Sequence, residues 1–125
     1  MGLTNTGRDF IAKAIINDTP TFFDNTNAHI GVGDNDQGIA FNVEQTDLQG
    51  ANKTRVNVDQ APVRTGNQLE FKSTFDTDTG NHIWGEWGVF NHASVGEMLN
   101  RKVEPLGTKT GGTWVLTVTL AVNIG

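Results

Sequence analysis

The side chains of this 125-residue chain that could do chemistry are few: three histidines, two serines and scattered carboxylates, with no cysteine. His29, His82 and His92 lack the close spacing with which a helix presents two imidazoles to zinc, so each reads as a structural or surface histidine. Ser94 lies two residues from His92, but in a turn and without the strand-turn-helix glycines of a nucleophile elbow. Glu86 and Glu104 would make a glycosidase pair only across a cleft, and nothing in the sequence builds one. Gly31-Val32-Gly33 follows a strand as a phosphate loop does. Asp36 takes the place of the third glycine, however, no helix follows, and an anion there would face Asp34 and Asp36. The run Asp34-Asn35-Asp36-Gln37-Gly38 fails the EF-hand pattern, because glycine comes one position early and the twelfth position is Gln45. A looser calcium site on Asp34, Asp36 and a neighbouring carbonyl is the remaining metal candidate, and no cofactor is expected.

These residues must be positioned by strands. Residues 82–104, HIWGEWGVFNHASVGEMLNRKVE, read as a hairpin turning over 91–96, with two of the three tryptophans in its first arm. His82, Trp84, Glu86, Gly88 and Phe90 share one parity, and Ile83, Gly85, Trp87 and Val89 the other, so large apolar groups point to both faces. Such a strand is either held between two layers or turns its second face to another chain. In the returning arm Leu99 and Val103 fall on one side and Lys102 on the other. Glu86, between Trp84 and Trp87, needs a cationic partner if it is buried. Arg101 or Lys102 on the returning arm can supply it, and Arg101 is the expected ion-pair partner. The opposite parity of Trp84 and Trp87 argues against a sugar-stacking platform on a regular strand.

Elsewhere the periodicity predicts one helix and more strands. Residues 4–17 form the helix, with Thr6 and Asp9 at capping-box spacing and Phe10, Ile11, Ala14 and Ile15 at helical intervals. It is short and needs a surface to dock on. Strands follow over 28–33, 53–59, 68–75 and 113–124, the last with Trp114, Leu116, Val118, Leu120, Val122 and Ile124 on one face. Residues 34–52 are acidic and read as a long loop anchored by Ile39, Phe41 and Leu48, an insertion expected to touch another subunit. Six strands and one helix fit a mainly β fold, an antiparallel β-sandwich with one short N-terminal helix, in a single domain over 1–125.

Composition agrees and narrows function. Hydrophobic residues are 36% and charged residues 18%, with 15 glycines, which suits short strands joined by many turns. A net charge of −5 without a lysine or arginine cluster speaks against nucleic acid or an anionic membrane as partner. No apolar stretch approaches the roughly 20 residues of a membrane helix, and no signal-peptide pattern opens the chain, so it is expected to be soluble and made in the cytoplasm. Nucleophile, base and orienting group are not found at recognisable spacing, so no enzyme is expected.

Three segments carry a family resemblance: Leu3-Thr4-Asn5-Thr6-Gly7 leading into Phe10-Ile11-Ala12, His29-Ile30-Gly31-Val32-Gly33-Asp34, and Trp84-Gly85-Glu86-Trp87-Gly88-Val89-Phe90-Asn91 followed by Met98-Leu99-Asn100-Arg101. In that order they resemble small bacteriophage virion proteins, in particular the N-terminal attachment domains of tail-fibre and tail-collar proteins. Such domains usually precede a fibre shaft, whereas this chain stops after the strand ending at Ile124. The resemblance therefore implies a stand-alone adaptor on the tail or baseplate, or a decoration (cement) protein on the capsid. It implies a homo-oligomer, a trimer, bound to other phage structural proteins in the virion. The residues expected at the interface are Phe22, Phe23, Phe41, Leu48, Trp87, Phe90 and Leu99, since desolvated aromatic and apolar anchors dominate binding energy. The alternative of another class is a carbohydrate-binding module using the same aromatics and the acidic loop.

Overall fold

The computed structural model describes residues 2–123, and Ile124, the last residue of the expected final strand, lies outside that range. Two antiparallel sheets pack face to face, as expected for a β-sandwich. The elements in chain order are β1 (Gly2–Leu3), α1 (Asn5–Ile16), β2 (His29–Gly33), β3 (Lys53–Asn57), β4 (Val63–Thr65), β5 (Gln68–Phe75), β6 (Ile83–Phe90), β7 (Met98–Thr108) and β8 (Trp114–Ala121). The larger sheet has the order β1-β7-β6-β2-β3 and the smaller β4-β5-β8. β1 and β4, at two and three residues, are too short to leave an alternating pattern in sequence.

Between the sheets lies the main core, in which Ile30, Val32, Phe71, Phe75, Trp84, Trp87, Val89, Val118 and Leu120 are all buried. Trp84 stands at its centre, edge-on to Phe75 at 4.7 Å and to Trp114 at 5.0 Å, with its indole N–H donating to the Gly80 carbonyl. Trp84 and Trp87 thus share a core despite opposite parity. An irregularity between Trp84 and Glu86, where β7 advances four residues against two of β6, breaks the ladder and lets the alternation turn over. A second irregularity, between Val89 and Phe90, leaves Leu99 of β7 unpaired. Leu99 enters the core, while Val103, expected beside it, lies opposite Glu86 on the other face and is exposed. The amide of Val89, displaced from the ladder there, donates to Asn100 Oδ1 at 3.1 Å.

The helix is capped by Thr4, not Thr6: the Thr4 hydroxyl accepts the Gly7 amide, and Asn17 closes the far end in the left-handed conformation. Thr6 instead donates to the Met98 carbonyl at 3.0 Å. The helix packs on β7, and Gly7 in its first turn is its one fully buried residue. There Gly7 lies against the Leu99 carbonyl so closely that a Cβ would collide with it.

Candidate functional site

The second face of the larger sheet is the most elaborated part of the molecule. Cross-strand pairing sets Arg55, Gly31, Gly88 and Arg101 in one row, and Lys53, Gly33, Glu86 and Val103 in the next. Glycines pave the middle of this face, and long side chains lie flat on it. A Cβ on Gly33 would meet the Glu86 carboxylate, and one on Gly31 would come within 2.6 Å of the Phe90 ring. Over this floor folds the loop 34–52, whose Leu48 makes a small second core with Phe90 and Met98.

Glu86 and Arg101 are diagonal neighbours across β6 and β7, both completely buried, with Arg101 Nε donating to Glu86 Oε1 at 2.7 Å. Their remaining hydrogen-bonding capacity goes to the loop. The Glu86 carboxylate accepts the Gln49 amide at 2.9 Å and the Gly50 amide at 2.7 Å. The Arg101 guanidinium donates to Gln45 Oε1 at 3.1 Å, Asn35 Oδ1 at 3.2 Å and the Ile39 carbonyl at 2.9 Å. A charge buried this deeply is tolerated only when its donors and acceptors are filled, and here the loop fills them. Lys102, the other candidate partner, falls on the opposite face and pairs with Glu104 at 3.1 Å.

Beside this pair Arg55 lies over Phe90, its guanidinium carbon 3.6 Å from the ring centroid. It donates to the His92 and Val95 carbonyls at 3.0 and 2.8 Å and to Asp47 at 3.3 Å. Burial lowers the Arg55 guanidinium below its ordinary value, and the neighbouring Asp47 draws it partly back. A surface hollow of about 300 Å³ opens here, lined by Asp47, Leu48, Lys53, Arg55, Ala93 and Ser94. Its charges already pair with one another, Lys53 reaching Asp47 at 3.2 Å. Ser94 has no base at hand, because His92 Nδ1 accepts the amides of Ser94 and Val95, both at 3.0 Å.

The calcium candidates close the loop onto its own end. Asp34 accepts the Asn52 side-chain amide at 2.8 Å, and Asp36 accepts the Ala51 amide at 3.0 Å. The Asp36 carboxyl is held below the usual carboxylate range by Gln37 and then by that amide. Among the described residues no three His, Cys, Asp or Glu side chains are grouped to hold a metal ion. Glu104 is likewise held low, by Lys102 first and then by the Trp87 indole N–H at 3.0 Å, and it shares no cleft with Glu86.

Of the expected interface anchors, Leu48, Trp87, Phe90 and Leu99 are buried within their own chain and cannot serve a partner without unfolding it. The loop expected to touch another subunit is the cover of its own sheet. Phe41 is half-buried against Gly2, and Phe23 packs edge-on against Phe10 at 4.8 Å. Phe22 remains outside, 52% exposed and 6.3 Å from Phe10. Trp84, Trp87 and Phe90 offer no face to a sugar. Ile15, counted by its spacing with the apolar face of the helix, is 75% exposed in the last turn of α1, and so is Ile16, which the sequence reading passed over. For Ile16 the available signal was its angle, about 100° beyond Ile15 and off the stripe of Phe10, Ile11, Ala14 and Ile15. No protein-family model matches this chain, and a search of curated proteins finds no match either.

Proposed function

We propose that this chain is a non-enzymatic bacteriophage virion structural protein, an adaptor of the tail-fibre or tail-collar kind that self-associates and docks on a larger particle. The observation that carries the reading is the uncovered apolar end of α1, where Ile15, Ile16 and Phe22 stand in water beside a domain whose core is otherwise filled. A helix of 12 residues in which Gly7 alone is fully buried gains little from its own fold. Its outward isoleucines are explained by a surface that receives them. The mechanism is surface complementarity, with α1 and Phe22 as the docking element and the staple of Glu86, Arg101 and the loop keeping the sheet rigid behind it.

Purified virions of the phage encoding the chain provide the test. Mass spectrometry is expected to find the protein in the particle, and separated capsids and tails tell an adaptor from a capsid decoration protein. An Ile15→Asn, Ile16→Asn double variant is expected to keep the wild-type melting temperature and to lose its place on the particle. Absence of the protein from virions, or full incorporation of the folded double variant, overturns the docking role.

A further inference from the structure

Strand edges are where a sandwich is open to pairing, and most of those in this molecule are blunted. β1 is two residues long, and β4 is three, with Arg64 in it and Pro62 just before it. β3 carries Lys53 and Arg55, and its Val56 carbonyl accepts Ser73 Oγ at 3.0 Å. The part of β7 beyond its short pairing with β1 holds Lys102, Glu104 and Pro105. Short length, charge and proline are the devices that stop an edge from templating another strand. β8 has none of them. It is eight residues long and pairs β5 along its whole length, from Gln68↔Ala121 to Phe75↔Trp114. Its other side is the border of the smaller sheet, and among the described residues no backbone group outside β5 bonds to it.

We infer that β8 pairs with β8 of a second copy of this chain, antiparallel across a twofold axis, joining two three-stranded sheets into one of six strands. The occupant follows from charge and symmetry. In a chain of net charge −5, residues 110–123 carry no charged side chain, so two copies meet at this edge without like charges opposed. An antiparallel strand edge is its own complement about a twofold axis, as a closed dimer requires. The pleat admits only registers that set inward residues against inward ones. Centring the axis on Thr117 places Trp114 opposite Leu120 and Leu116 opposite Val118 on the inner side. On the outer side Val115 meets Thr119 and Thr117 meets itself. Trp114 and Leu116, only half-buried in one chain, gain cover from the second. A single strand pair is a small interface, so the dimer is concentration-dependent. This contact is separate from the docking surface on α1.

The native chain has no cysteine, which gives the test a clean background. Thr117→Cys sets two thiols across the axis within disulfide reach, whereas Glu70→Cys, one strand in from the edge on the same face, does not. Under mild oxidation Thr117→Cys is expected to give a species of twice 13.5 kDa, and Glu70→Cys is not. Thr117→Glu sits opposite Lys72 of β5 within one chain, but opposite its own copy in the dimer. It is expected to keep the melting temperature while weakening the dimer by at least about tenfold. Mixing Thr117→Glu with Thr117→Lys restores association. A wild-type chain that stays monomeric at millimolar concentration overturns the inference. So does an oligomer that Thr117→Glu leaves intact and Thr117→Cys does not cross-link; that result, unlike loss of virion incorporation by the Ile15, Ile16 variant, leaves the docking role standing.

Discussion

On one face of the five-stranded sheet Trp84, Trp87 and Val89 meet the apolar side of a second sheet; on the other, Glu86 and Arg101 meet a loop. Both faces are dry, but for different reasons. Apolar burial is non-directional and scales with area, so any well-filled arrangement serves. The polar face depends on named partners, since each N–H and carboxylate oxygen taken from water must find its mate. The first face therefore tolerates loss in proportion to volume. The second fails when a single partner is removed.

The largest effects probe this directly. Trp84→Ala is expected to cost about 3–5 kcal/mol in denaturant unfolding, the range for emptying a large aromatic site. Arg101→Met is expected to cost about 3–5 kcal/mol as well, by leaving Glu86 buried without its cation. The two separate in how they are rescued. Adding Glu86→Leu to Arg101→Met removes the stranded charge and is expected to recover most of the loss, whereas no such reversal exists for the cavity. They separate also in hydrogen exchange: Arg101→Met exposes the amides of Gln49 and Gly50 while β5 and β8 stay protected, if the loop opens as its own unit. Uniform loss of protection in Arg101→Met would show that the two faces fold as one.

A smaller effect tests the floor. Gly33→Ala adds a methyl group where the Glu86 carboxylate lies, and the buried pair has no room to withdraw. A cost of about 1–3 kcal/mol is expected from the overpacking, with the loop again the first part to lose protection. The same change at an open glycine such as Gly111 leaves stability within about 0.5 kcal/mol.

The sequence made the apolar face far more legible than the polar one. β5 alternates cleanly because one side is buried and one is wet, and residues 68–75 were readable to the end. Glu86 and Arg101 were readable as a pair because a hairpin brings them close and a buried carboxylate between tryptophans needs a cation. What the loop does with them was not, since Gln45, Asn35 and the Gly50 amide acquire meaning only once residues 34–52 lie on the sheet. Parity misassigned Trp84 and Trp87 because the break in the β6–β7 ladder between Trp84 and Glu86 leaves no mark in an alternating pattern. The anchors named for an interface were large and apolar, but the chain's own two cores claimed four of them, Trp87 and Leu99 between the sheets and Leu48 and Phe90 under the loop.

Acid should weaken the molecule through carboxylates at the margins of both faces. Asp36 is held low by Gln37 and Ala51, Asp76 by Thr79 and the Asp78 amide, and Glu104 by Lys102 and Trp87. Each folded carboxyl titrates below its unfolded counterpart, so between the two values the unfolded chain binds more protons. Stability is then complete above the ordinary carboxylate range near pH 4 and falls as the pH drops through it. Thermal melts from pH 7 downward check this, and Glu104→Gln is expected to flatten the acid limb slightly.

The smallest expected effect concerns the closure of the loop. Asp34 holds Asn52 through its carboxylate and through its own amide, which donates to the Asn52 carbonyl at 3.1 Å, so the side chain contributes only part of the clasp. Asp34→Asn keeps an acceptor for the Asn52 amide and is expected to cost about 0.5–1.5 kcal/mol, the net worth of one hydrogen bond. Calcium should shift the melting temperature of neither form, because the Asp34 and Asp36 oxygens already accept N–H donors and a cation would have to displace them. A calcium-dependent rise of several degrees in the wild type, lost in Asp34→Asn, would mean that the polar face is closed by a metal as well as by its ion pair.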